Sequence, residues 1–268
     1  MSQTEGSICH KRQIVTVHDL IPLLFPKYHK RQYCYFRFAY RSILKNAVKV
    51  ITVSQNTKDL LIDRYSIEDE KIAVIHNGIS AEYSNCETDS HKQGYVLYVG
   101  RFAPTKNIEG LVRAFEILMT EYKIDLELKL VGVRVTSNLN VGKEARRRIT
   151  CIENISAEDR LIDLYKRAAL LVLPSFHEGF GITPVEAMAC GCPTVVSNLA
   201  SLPEVCGDAA YYIDPYDAES IAEGMYKVAT DEQLRDTLIS KGLSRARMFS
   251  WDKSARQHIS VFEEVMNL

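Results

Sequence analysis

Two glutamates separated by seven residues, Glu178 and Glu186, bracket a glycine-bearing stretch that runs PSFHEGFGITPVEAMACGCP over residues 174–193. Carboxylates accept hydrogen bonds from hydroxyls, so such a pair suits a polyol. The apolar run from Leu170 to Leu173 predicts a buried strand ahead of it, and Pro184 suits the first turn of a helix after it. Free backbone N–H groups at that helix start, at Gly181, Ile182 and Thr183, can hold phosphate or sugar oxygens. Gly179 and Gly181 let the chain come close to a ligand. The same residue types also serve plain structure, because acids favour first helical turns and glycines favour strand-to-helix turns.

Two further groups could do chemistry. In YVLYVGRFAPTKN, residues 95–107, an apolar strand ends at Gly100, and Arg101 and Lys106 follow on a loop leading into an apolar-periodic segment. A planar guanidinium fork beside a mobile ammonium suits a diphosphate, although a loop of this kind is also an ordinary solvated surface. His18 ends a strand predicted over residues 14–17. Its neutral imidazole both donates and accepts, so it could polarise a hydroxyl or steady developing charge, or it could be a structural hydrogen-bonder. Asp19 could orient that ring or cap the next segment.

The elements that must position these groups alternate. Strands are predicted over residues 14–17, 48–53, 71–75, 95–99, 126–132, 168–175, 193–197 and 209–214, with helical segments between them, and Ser54 is placed to cap a helix over residues 55–65. That rhythm argues for parallel βαβ units, whose ligands sit at the carboxyl ends of strands. The polar stretch CETDSHKQG, residues 86–94, marks a linker, with a boundary near residue 88.

Composition narrows the class. With 268 residues, 46% hydrophobic content and a formal net charge of −1, the chain reads as a two-part globular α/β protein with no call for a nucleic-acid partner. Basic clusters remain at residues 143–148, KEARRR, and over residues 27–41 with interleaved aromatics. Each is either a solvated helix face or a docking surface for an anionic membrane. The first residues lack a signal-peptide core and no run of eighteen apolar residues occurs, so a cytoplasmic location is expected, with peripheral contact at the inner face of the membrane left open. Seven cysteines show no metal or redox spacing and are expected to be buried free thiols.

The stretch holding Glu178 and Glu186 resembles the donor-sugar motif of the family 4 (group 1) glycosyltransferases. The likeness extends to the Gly-Arg loop with its Lys, to VHDLIPLLFP, AVKVITVSQNTKDLL and IAVIHNGI, and to the Ser250-Trp251 pair that opens a closing helix. It implies the GT-B architecture, two Rossmann-like parallel-sheet domains facing across a cleft. The domains expected are a partial acceptor-side domain at 1–88, a nucleotide-sugar donor domain at 89–250 and a closing helix at 251–268 that packs back toward the first. The N-terminal domain is expected to be incomplete, short by roughly a hundred residues against ordinary domain sizes.

The resemblance also implies roles. His18 and Glu178 would act at the donor sugar as catalytic residues. Arg101, Lys106 and the amides of Gly181, Ile182 and Thr183 would hold the donor diphosphate, and Glu186 the ribose. No metal and no cofactor is expected. The implied reaction moves a hexose, with retention, from a nucleotide-diphosphate sugar to a glycan or lipid-linked acceptor in polysaccharide or glycolipid biosynthesis. GDP-mannose is preferred because VHDLIPLLFP is similar to mannosyltransferase-like members. Glu153 stands where the family usually has a Gly beside the nucleobase, which leaves the base open. The alternative is an inactive remnant or split-enzyme half that binds nucleotide or a partner chain completing the N-terminal domain.

Overall fold

The computed structural model describes residues 6–10, 12–84, 94–133, 141–155 and 158–267. The chain forms two α/β units with parallel sheets. The first unit comprises Met1–Gly78, His177–Gly181 and Phe249–Leu268, and the second Ile79–Phe176 and Ile182–Met248. The linker expected at residues 86–94, with its boundary near 88, lies outside the described residues except for Gly94.

In the first unit the order is β1 (Ile14–Val17), α1 (Ile21–Leu24), α2 (Lys30–Cys34), α3 (Tyr40–Asn46), β2 (Lys49–Thr52), α4 (Gln55–Tyr65) and β3 (Ile72–Val74). The strands pair in parallel in the order β1-β2-β3. Between α2 and α3 a π-helical turn, Tyr35–Ala39, closes with the Tyr40 N–H donating to the Tyr35 carbonyl. The sequence there has aromatic and aliphatic residues at mixed helical spacing; the structure inserts one wide turn, and Phe36 and Tyr40 both reach the core with Leu44, Val50, Leu61 and Tyr65.

The second unit contains α5 (Ala81–Ser84), β4 (Tyr95–Val99), α6 (Ile108–Thr120), β5 (Glu127–Val131), α7 (Lys143–Arg147), β6 (Ile149–Ile152), α8 (Glu158–Arg167), β7 (Leu170–Leu173), α9 (Ile182–Ala189), β8 (Thr194–Ser197), α10 (Leu202–Cys206), β9 (Tyr211–Ile213), α11 (Ala218–Thr230) and α12 (Glu232–Ala246). Its six strands run parallel in the order β6-β5-β4-β7-β8-β9. Burial follows that order: β7 and β8 are buried throughout and β4 nearly so, as strands covered on both faces must be, whereas β6 at the edge is only partly covered. Helices α6 and α11 pack together. The last helix, α13 (Trp251–Met266), belongs to the first unit, where Val261 meets Ile51 and Ile75 and Glu264 accepts from Lys49 Nζ at 2.8 Å.

Among the described residues no helix is long and apolar enough to cross a membrane. The expectation of buried thiols needs correction: Cys190, Cys192 and Cys206 are buried, Cys151 is partly so, and Cys9 and Cys34 are exposed. Cys34 ends α2, a helix that buries none of its residues, so its exposure follows its place in the fold rather than cysteine's general preference. Cys86 lies outside the described residues.

Candidate functional site

In the first unit, the groups able to do chemistry gather at the carboxyl ends of β1 and β2. His18 follows β1 directly and is partly buried. Asp19, the next residue, accepts from the Ile21 N–H at 2.9 Å and so starts α1. After β2, Ser54 caps α4 by accepting from the Thr57 N–H at 3.1 Å, and the same hydroxyl donates to the Gly179 carbonyl at 2.6 Å. This bond seats the peptide His177–Gly181 on the strand ends. Gly179 must be glycine, because a Cβ there would overlap the His18 carbonyl. His18 and the Glu178 loop are therefore backbone neighbours. Glu178 is buried, at 8% exposure, so its carboxylate sits in a place where hydrogen-bonding hydroxyls, rather than bulk water, suit it. Gly181 takes a φ of +89°, which turns the chain into α9.

In the second unit, the loop after β4 and the peptide after β7 lie side by side, since β4 and β7 are adjacent in the sheet. Arg101 is exposed and Lys106 partly buried on this loop, which winds into a 3₁₀ turn over Pro104–Lys106. The Phe176 N–H donates to the Thr105 carbonyl at 2.8 Å and joins the cationic loop to the peptide after β7. Asn107 fixes the loop's far end. With φ +53° it caps α6 by accepting from the Gly110 N–H at 3.2 Å, and its amide nitrogen donates to the Pro215 carbonyl at 2.6 Å, after β9. Ile182 and Thr183 open α9, so their amides are among those left without a partner inside the helix. Glu186 follows one turn on and accepts from the Tyr165 hydroxyl at 3.0 Å. Burial, and then the Glu186 carboxylate, hold that phenol well above its ordinary pKa. Glu153 lies just past the end of β6 and is exposed.

The structure thus brings His18 together with the Glu178 loop in the first unit, and sets Arg101 and Lys106 at the same sheet end as Ile182, Thr183 and Glu186 in the second. Two positioning residues escaped the sequence reading. Asn107 carries a recognisable signal, a capping residue just before an apolar-periodic segment. Tyr165 carries none, because its partner lies 21 residues further along the chain. Among the described residues no group of three or more His, Cys, Asp or Glu side chains could hold a metal ion. An open hollow lined by Arg12, Gln13, Ile14, Val48, Val265 and Met266 lies at the amino ends of β1 and β2, opposite His18.

Comparison with known proteins identifies the family. Residues 81–245 match the family described as glycosyl transferases group 1, and residues 6–83 match glycosyltransferase family 4. O-antigen chain mannosyltransferase B of Escherichia coli is 32% identical over 94% of this chain and 70% of its own length. O-antigen chain mannosyltransferase RfbU of Salmonella typhimurium is 32% identical over 85% of this chain and 63% of its own length. Sucrose-phosphate synthase from Thermosynechococcus elongatus superposes with a TM-score of 0.74 at 25% identity, covering 95% of this chain and 68% of that one. With a strand-end cationic loop, a glutamate-bearing helix start and a family match across more than half of its length, the chain belongs to the group 1 glycosyltransferases and has their two-domain, parallel-sheet GT-B architecture.

Proposed function

We propose that the chain transfers a hexose from a nucleoside diphosphate sugar to a glycan or lipid-linked acceptor, with retention at the anomeric carbon, in polysaccharide or glycolipid biosynthesis. The observation that carries the proposal is the convergence of Arg101, Lys106 and the start of α9 at the carboxyl ends of neighbouring strands β4 and β7. Two cations and a helix start at one sheet end form a seat for a diphosphate. The anomeric C–O bond to the diphosphate breaks as the acceptor oxygen attacks, and the acceptor proton passes to the departing phosphate oxygen. Arg101, Lys106 and the amides of Gly181, Ile182 and Thr183 stabilise the charge that grows on that phosphate, so no metal or cofactor is required. Glu186 takes the ribose hydroxyls, Glu178 the sugar hydroxyls, and His18 supports the sugar as positive charge develops on its ring. GDP-mannose is the preferred donor, in keeping with the mannosyltransferases that the chain resembles.

Calorimetric titration of the full chain with GDP and with UDP tests this proposal. Saturable binding is expected, tighter for GDP, and weakened by roughly tenfold or more in Lys106→Ala, since a hydrogen bond to a charged group contributes about 1.5–3 kcal/mol. No binding to either nucleotide by a folded chain would sink the donor site and favour an inactive remnant.

A further inference from the structure

Helix α13 uses only one of its faces inside the first unit. Ser254 and Val261 are buried and His258 and Val265 partly so, the side on which Val261 meets Ile51 and Ile75. About a quarter turn away, a second row runs the length of the helix: Trp251, Ala255, Ile259, Phe262 and Met266. At about 100° per residue these five fall within roughly 80° of arc, the width of a packing seam. Trp251 is 51% exposed, Ile259 54%, Phe262 43% and Met266 76%. Apolar side chains scattered singly over a surface are ordinary, but a continuous row of them marks an interface. The open hollow of about 630 Å³ lined by Ile14, Val48, Val265 and Met266 begins where the row ends.

We infer that α13 pairs with α13 of a second copy of this chain, antiparallel across a two-fold axis beside Ile259. The inference goes beyond the proposed transfer reaction and does not depend on it. Turned end for end, the row sets Ala255, its smallest member, against the second copy's Phe262, and brings Trp251 to the hollow beside the second copy's Met266. Large rings then fill small places, as a self-complementary two-fold interface requires. Charge favours the same occupant and the same direction. The first half of α13 carries Lys253 and Arg256 against Asp252, whereas the second half carries Glu263 and Glu264, the latter shared with Lys49, and no Lys or Arg. Only an antiparallel pair brings these unlike halves, and opposed helix dipoles, together. Judged by the exposed fractions of the four large side chains, the two rows with their margins bury on the order of 1,000 Å², the lower bound for a specific interface. A dissociation constant on the order of 1–100 µM is therefore expected.

The test is sedimentation equilibrium of the full chain from about 1 to 200 µM, a range that spans the expected constant. A reversible monomer–dimer equilibrium is expected. Ile259→Glu places a carboxylate at the axis and should weaken it by at least about tenfold. Arg256→Glu should weaken it severalfold, and adding Glu263→Arg should restore most of that loss, a rescue that only facing halves give. Phe38→Glu, a change at an exposed ring elsewhere in the first unit, should leave the equilibrium unchanged. Direction is read by crosslinking, with Cys9→Ser and Cys34→Ser in place to silence the exposed thiols. Under copper phenanthroline Ile259→Cys should join to its own copy and Trp251→Cys should not, since a disulfide needs Cα atoms within about 7 Å. Circular dichroism reports folding, and Ile259→Ala gives a milder second reading should the carboxylate disturb it. A monomer throughout the range, a dimer indifferent to both Ile259 variants, equal loss in Phe38→Glu, or crosslinking of Trp251→Cys as ready as that of Ile259→Cys would overturn the inference. The first of these outcomes would leave the row to a polypeptide of another sequence.

Discussion

Tyr165 is fully buried, and its hydroxyl donates to a carboxylate that the proposed reaction assigns to the ribose. That donor fixes the rotamer in which the Glu186 carboxylate points. Tyr165→Phe keeps the ring and its packing near Tyr83 while deleting the donor. The expected outcome is a loss of roughly two- to tenfold in affinity for GDP, the worth of one hydrogen bond. The preference for GDP over its 2′,3′-dideoxy analogue should shrink at the same time. A lower melting temperature with that preference unchanged would make Tyr165 a packing residue only.

At the scale of elements, one hydroxyl serves two structures. Ser54 caps α4 and also holds the Gly179 carbonyl, so Ser54→Ala removes a cap and a loop tether together. A loss of about 1–2 kcal/mol in unfolding free energy is expected, read from urea denaturation, with faster amide exchange at the start of α4. The cap was legible from sequence because its chemistry is local: a serine, a polar turn and an apolar period. The tether was not, since it spans 125 residues. The same division separates the strands. β4, β7 and β8 announce themselves as apolar runs because both of their faces are covered, while β6, ITCI at the sheet edge, has too little burial to select an apolar run and escaped notice. The π-helical turn at Tyr35–Ala39 was invisible for another reason: one extra residue per turn shifts the phase of a pattern without changing its composition.

For the whole molecule, fold class and the identities of the strand-end loops were readable from the βα rhythm and from residue chemistry. The membership of His177–Gly181 in the first unit was not, because nothing in five residues says which sheet they rest on. Cysteine burial, judged from type alone, was half wrong, and it gives a whole-molecule check on the core. At pH 8 iodoacetamide should modify Cys9 and Cys34 in the native protein within minutes, as peptide mass spectrometry would show. Cys190, Cys192 and Cys206 should react only after denaturation. Burial pushes the Cys206 thiol up to about 12, against a smaller opposing pull from Arg245, so it holds its proton at that pH. Rapid labelling of Cys206 in the folded chain would contradict the packing around α10.

The first unit is assembled from three separated stretches of chain, and its Lys49–Glu264 pair joins residues 215 positions apart. A ribosome adding about 5–20 residues per second needs roughly ten to forty seconds to travel between them. The second unit has all its strands out of the exit tunnel before α13 exists. During that interval Ile51 and Ile75 lack the side chain of Val261 that covers them in the finished fold. The half of the molecule that is translated first is therefore finished last, and the nascent chain presents an apolar sheet face to the cell's chaperones throughout the wait.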